Sequence, residues 1–362
     1  MSFSHLDIQK KEYEIIDLIL SGLSIFRWNT FPRVQSITAL DHLGFVCHIS
    51  LLIAHLRAEE EWEKYDIGLL LKKILFSGFF TFFYSDISAE VKDRIREKSP
   101  ELYMKLEEDV EKKLLLLHLS RRVQDDIILI QEKTKEDDII WFAKMWASYY
   151  EIQHNAKIYP HAYAKLLEDM KKRSAKKEFL PFSAYLSFDP NDQNELESYL
   201  LIVHRLASSF RWNRSVRKYP ISVLSHTFFI AFLTYLISSE AWIPKDEQTD
   251  MIMTALFHDI PEAITGDIIT PTKKAIPGLD IVIEEVERDM IYEHILSYIR
   301  RYSFSDIYAK KMLSPWHEAH GDMVKHADIL SAFHEARIEA PLSEVFQRVC
   351  EELFEKLKKF EK

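Results

Sequence analysis

The residues best able to do chemistry are His258 with its neighbour Asp259, His226 upstream and Asp328 downstream. Imidazole and carboxylate together suit Zn, Mn, Fe or Co, and Mg less well. Two His and two Asp would leave positions open for water, and an ion held that way generates a nucleophile by lowering the pKa of the bound water. Glu262 lies three residues after Asp259 on the same helical face. Asp267 follows in TGDIITPTK, and Arg211-Trp212 stand fifteen and fourteen residues before His226. Each has a plainer reading beside the chemical one. A lone His-Asp pair is ordinarily a surface or capping feature, and it is the ordered set that points to a metal. Glu262 and Asp267 could be helix-end carboxylates favoured by the macrodipole, and Arg211-Trp212 a stacked packing pair. His317, His320, His326 and His334 read as helix-surface or packing residues, and Cys47 and Cys350 as ordinary buried thiols.

These residues must be positioned by helices. Tyr199–Ser209 is apolar at helical period, His226–Ile237 is an apolar helix, and Asp250–Phe257 leads directly into His258-Asp259, where Pro261 bends or ends the helix. Asp280–Tyr298 is a long amphipathic helix, and His320–Ala340 carries Asp328. Each ligand group thus falls on a separate helix. Only seven glycines occur in 362 residues, in keeping with a helical chain, because Gly costs about 1 kcal/mol against Ala within a helix. No alternating β-branched stretch competes, so the fold class expected is all-α.

A hydrophobic fraction of 47% with 29% charged residues is that of a globular protein. The net charge of −10 argues against a general nucleic-acid binder, which would show a basic face. Two cysteines cannot form a secreted-type disulfide framework. The N-terminus lacks an apolar signal core, and the apolar runs Leu43–Leu56 and Ile74–Tyr84 fall short of the about 20 residues that span a bilayer. The expectation is a cytoplasmic protein with no membrane or nucleic-acid partner.

The chain reads as one unit written twice. RWNTFPRVQSITALDH (27–42) and RWNRSVRKYPISVLSH (211–226) agree at seven of sixteen positions, with the same Arg-to-His spacing of 15. LFSGFFTFFYSDISAEVK (75–92) aligns with LFHDIPEAITGDIITPTK (256–273), and ASYYEIQHNAK (147–157) with ADILSAFHEAR (327–337), at offsets of 184, 181 and 180. The boundary falls between Lys171 and Asn194, which ends in the turn-forming DPNDQN. Domains are expected at 1–175 and 195–345, with a helical tail over 346–362. In the first copy His42 survives, but His258-Asp259 become Ser77-Gly78, Glu262 becomes Thr81 and this alignment sets Ser148 against Asp328. One His cannot hold an ion that expects four ligands. Phe79, Phe80, Phe82 and Phe83 crowd the old site, while retained Arg27, Trp28 and Arg33 are open to two readings, residual anion pocket or shared packing.

The string RWN…R…SH…LFHDIPEAITGDIITPTK…VKHADIL resembles the HD superfamily of phosphohydrolases, and within it the 5′-deoxynucleotidases, over roughly 200–340. The resemblance implies two tandem HD-like helical bundles packed as an intramolecular pseudo-dimer, with further homo-oligomerisation left open. It implies one divalent ion per chain (Co, Mn, Fe, Zn or Mg) on His226, His258, Asp259 and Asp328. Glu262 and Asp267 become acid/base and water-orienting carboxylates, Arg211 the phosphate holder, Trp212 a neighbour of sugar or base, and Lys273 a phosphate contact. The implied reaction is hydrolysis of a (deoxy)nucleoside 5′-monophosphate, a small-molecule substrate, to nucleoside and phosphate. Charged and bulky Arg214, Arg217, Lys218 and Tyr219, between Trp212 and His226, depart from the family pattern and leave base and sugar preference open. The alternatives are an HD phosphodiesterase or alarmone-type hydrolase, or a non-catalytic metal- and nucleotide-binding regulator.

Overall fold

A computed structural model describes residues 14–189, 191–212, 215–266, 275–317 and 319–358. Among the described residues all extended regular structure is helical, and the only β pairings are two isolated bridges, Phe26 with Thr38 and Phe210 with Ser222. The first half carries α1 (Ala39–Glu60), α2 (Ile67–Phe76), α3 (Phe79–Tyr84), α4 (Ala89–Lys98), α5 (Pro100–Leu116), α6 (Arg121–Leu129), α7 (Glu136–Ile158) and α8 (Pro160–Ser174). The second carries α9 (Glu195–Arg205), α10 (Val223–Glu240), α11 (Lys245–Phe257), the single turn α12 (Glu262–Thr265), α13 (Leu279–His294), α14 (Phe304–Leu313), α15 (Gly321–Glu339) and α16 (Glu344–Leu357).

The halves repeat one another in local geometry. Thr38 caps α1 and Ser222 caps α10, each through a hydroxyl that accepts from the backbone N–H three residues on. Trp28 and Trp212 share a left-handed backbone at φ 59° and 58°, and Ser85 and Gly266 share another at 70° and 71°. In each half a central helix, α1 or α10, is packed by a long one, α7 or α15, which is covered in turn by α8 or α16. Residues 346–362, set apart in the sequence as a tail, therefore belong largely to α16, the counterpart of α8. The linker region is also structured. Phe179, Phe182, Tyr185, Leu186 and Phe188 are buried against the first half, and Trp146 Nε1 donates to the Ser187 carbonyl at 3.0 Å.

One hydrophobic core runs through both halves, from Ile15 to Ala327. Its centre is α1 against α10, where a Cβ on Gly44 would lie 3.0 Å from the Leu224 carbonyl oxygen, so the backbones meet without side chains between them. Asp41 completes the capping box of α1 and accepts from Ser222 and Ser225 at the start of α10. Three helices exceed what the apolar runs in the sequence led one to expect. Ala39–Glu60, Ile67–Tyr84 and Val223–Glu240 are long and apolar enough to cross a bilayer. The first and last are apolar on all sides because both are wrapped by other helices.

Candidate metal centre

Two helix ends and one helix interior converge in the second half. His226 lies in the first turn of α10, His258 caps the C-terminus of α11 with Asp259 next to it, and Asp328 lies two turns into α15. Ligand atoms of His226, His258 and Asp259 lie within 4.8 Å of one another. His226 Nε2 is 3.3 Å from Asp328 Oδ1 and 3.7 Å from Asp259 Oδ2, and His258 Nε2 is 3.2 Å from Asp259 Oδ1. The structure thus brings together all four residues expected from the sequence. His226 is fully buried, and its Nε2 has no hydrogen-bond partner of ordinary geometry.

What aims His226 is Glu335, a residue the sequence reading passed over. Its Oε1 lies 2.7 Å from His226 Nδ1, and its Oε2 accepts from Trp212 Nε1 at 2.8 Å and from Arg211 Nε at 3.2 Å. Ser331 Oγ sits 3.1 Å from the same Nδ1. An ionised carboxylate only accepts, so Nδ1 carries a hydrogen and Nε2 is the nitrogen left to face the cluster. The available signal was spacing, since both halves place a Glu 109 residues after the equivalent His, Glu151 after His42 and Glu335 after His226.

The electrostatics are those of a cation site. Burial alone would raise Asp328, but His226 and Arg211 outweigh it and hold the carboxyl at about 2. Burial and Arg211 both act to lower His226, yet the carboxylates of Glu335 and Asp328 push it up to about 9. Burial would lower Arg211 as well, and Glu335, Asp328, Asp259 and Glu262 raise it. An imidazole nitrogen facing two half-buried carboxylates fits a divalent ion, with His226, His258, Asp259 and Asp328 as its donors.

The remaining expected residues are less uniform. Arg211 Nη1 is ion-paired with Asp259 Oδ2 at 3.7 Å, beyond hydrogen-bond reach, so among the described residues its Nη end makes no hydrogen bond. Trp212 packs its ring on Phe346 at 5.6 Å, with its single donor on Glu335. Glu262 opens α12 close enough to act on Arg211. Asp267 and Lys273 lie outside the described residues, as does Arg214. Of the extra histidines, His320 bonds Glu247 at 2.6 Å and His334 is buried beside Phe229 and Phe333.

α7 and α15 correspond one helical turn away from the register that their sequences suggest. Arg27, Trp28 and His42 meet Glu151 as Arg211, Trp212 and His226 meet Glu335. Val34 N–H donates to Asn155 as Lys218 N–H donates to Glu339. The offset on α7 and α15 is therefore 184, and Asp328 corresponds to Lys144 rather than Ser148. The physical reason is that successive turns of a buried helix carry similar small and aromatic residues, so a four-residue shift keeps the pattern.

Residues 198–362 match the family described as 5′-deoxynucleotidase YfbR-like. A 5′-deoxynucleotidase of Vibrio parahaemolyticus is 28% identical over 127 residues, which are 34% of this chain and 64% of the relative's length. The chain thus spans somewhat less than two thirds of that relative. With the His, His-Asp and Asp groups gathered on three helices of the matched region, the second half of this chain, residues 198–362, is similar in sequence and in its gathered ligand set to the 5′-deoxynucleotidase YfbR-like family.

Proposed function

We propose that the second half hydrolyses a phosphomonoester, a deoxynucleoside 5′-monophosphate, to nucleoside and phosphate, using one divalent ion. The observation that carries this reading is His226, fully buried, locked through Nδ1 by Glu335 and left with its Nε2 facing Asp328 and Asp259. The family match and the 5′-deoxynucleotidase relative support the substrate class. A divalent ion bound by His226, His258, Asp259 and Asp328 would supply a water of lowered pKa. Arg211, fixed at Nε by Glu335, has its Nη end available for a phosphate oxygen. Glu262 serves as the proton-handling carboxylate, with Asp267 orienting water and Lys273 meeting the phosphate. Trp212 has its indole N–H committed to Glu335, so its contact with sugar or base is through the ring face.

The first half, in this reading, arose by tandem duplication, lost the ligand set and stays as a built-in partner for the second, forming a cytoplasmic pseudo-dimer within one chain. The test is purification without added metal, elemental analysis, and phosphate release from ribo- and deoxyribonucleoside 5′-monophosphates with Mn, Co, Zn, Fe and Mg in turn. His258→Ala and Asp328→Ala are expected to lose both bound metal and turnover. Stoichiometric metal in both variants, or no phosphate from any monophosphate with any of the five ions, would overturn the reading.

A further inference from the structure

The equivalence of Lys144 with Asp328 changes what the first-half pocket can hold. In the second half four carboxylates, Asp259, Glu262, Asp328 and Glu335, surround one guanidinium, Arg211. In the first half the corresponding positions are Gly78, Thr81, Lys144 and Glu151, around Arg27. Three of the four negative charges are gone and one has become a cation. The remaining carboxylate is already matched, because Glu151 accepts from Arg27 Nε at 2.9 Å and Trp28 Nε1 at 2.6 Å and lies 2.8 Å from His42 Nδ1. A further cation, Lys92, aligns in sequence with Lys273 of TGDIITPTK.

The added cations have nothing to neutralise them at contact range. Among the described residues neither the Lys144 nor the Lys92 ammonium makes a hydrogen bond or an ion pair. Lys92 lies over the Phe80 ring at 4.5 Å, and both are partly buried. Asp86, which aligns with Asp267, and Glu107 act on Lys92 without contact, Asp137 acts on Lys144 likewise, and Asp137 is bound to Lys73 at 2.7 Å. Burial, with the charges of Lys92 and Arg27 adding to it, pushes the Lys144 ammonium down to about 8. The pocket no longer offers a metal ligand set, and a side chain at Gly78 would make Leu43 and Phe82 shift, since a Cβ there would stand 2.7 Å from their side-chain carbons.

We propose that the first half binds a phosphate-type dianion, free or as a phosphomonoester, without metal, through Lys144, Lys92 and Arg27 at the position where the second half gathers its His-Asp cluster. An ion of two negative charges would relieve the mutual repulsion of three facing cations, and the partly buried lysines would give charge-assisted hydrogen bonds. The ligand would stand where the duplicate half holds its catalytic cluster, so the site recognises what the other half releases or consumes.

The test uses the full chain carrying both His258→Ala and Asp328→Ala, stripped with a chelator, so that the second-half metal site is disabled. Calorimetric titration with inorganic phosphate, and separately with a deoxynucleoside 5′-monophosphate, is expected to show one site per chain for at least one of them. Tighter binding of the monophosphate marks a nucleotide site, and equal binding marks free phosphate as the ligand. Adding Lys144→Met should weaken that site by about tenfold or more, and Lys92→Met, a change nearer the surface, should weaken it in the same sense. Lys144→Arg should keep it. No binding of either anion by the stripped chain overturns the proposal, and so does binding that both Met variants leave unchanged, because the lysines would then be internal counterions only.

Discussion

Four donors converge on the carboxylate of Glu335, from His226, Arg211, Trp212 and Ser331. Burial would raise its pKa, but Arg211 and His226 outweigh burial and hold it well below the ordinary carboxylate range. It therefore stays charged and fixes which nitrogen of His226 faces the cluster. Glu335→Gln keeps the shape and removes the charge, so it is expected to weaken metal binding by about 10–100-fold, the usual cost of losing a group that orients a ligand. Competition with a chromophoric chelator measures this, and unchanged affinity would mean that the histidine is aimed by packing alone. Glu262 makes a different prediction, because it sits beside the cluster and is not one of the four ligands. Glu262→Gln should keep the metal and lower kcat by about 10²–10⁴-fold, and wild-type turnover in that variant would reduce the residue to a helix-end carboxylate. The ligands themselves were legible in the sequence because His and Asp are uncommon in apolar helices. Glu335 was not, because a Glu on a long helix reads as surface until the burial of its face is known.

At the scale of elements, the repeated turn–helix pattern was legible and the register between α7 and α15 was not. The N-terminal strings align by identity at Arg, Trp, Asn and His, whereas α7 and α15 share little beyond helical period, which one turn of slippage preserves. The linker, read as a turn-rich boundary, is tied down at Glu197 in the first turn of α9, whose Oε1 accepts from the Ser187 N–H at 3.1 Å. Burial, with Asp192 adding to it and that N–H opposing, pushes the Glu197 carboxyl up to about 7. An unfolded Glu titrates near 4.3, so the folded chain holds a proton that the unfolded one has lost between about pH 4 and 7. The stability from this group is then full below about pH 4 and is lost as pH rises through 7. Glu197→Gln cannot ionise. It should melt like the wild type at pH 4 and above it at pH 7.5, in thermal scans followed by circular dichroism. Equal melting temperatures at both pH values would place the carboxylate in contact with water.

For the whole molecule, the question is why a half without metal ligands keeps its shape. α1 and α10 meet backbone to backbone at Gly44 and Leu224, and Asp41 of α1 accepts from Ser222 and Ser225 of α10. Tyr235 of α10 donates to Asp126 of α6 at 3.0 Å, and Tyr308 of α14 bonds His55 of α1 at 2.9 Å. Phe232 lies against Phe76 and Phe79 of the first half. One face of α10 is thus buried by first-half residues, and removing them would expose an apolar surface together with hydroxyls that have lost their acceptor. Such surfaces drive self-association, whereas two copies in one chain meet at high effective concentration and need no second protomer. Residues 195–362 produced alone should therefore aggregate or form dimers through α10, seen by sedimentation velocity, and should melt below the full chain. Replacing Phe232 by Glu in that fragment should suppress the association, because it puts a charge at the centre of the exposed face. A fragment that is monomeric, as stable as the full chain and equally active would show that the first half is not a packing partner. Anion binding at Lys144 would then be what remains to explain its retention.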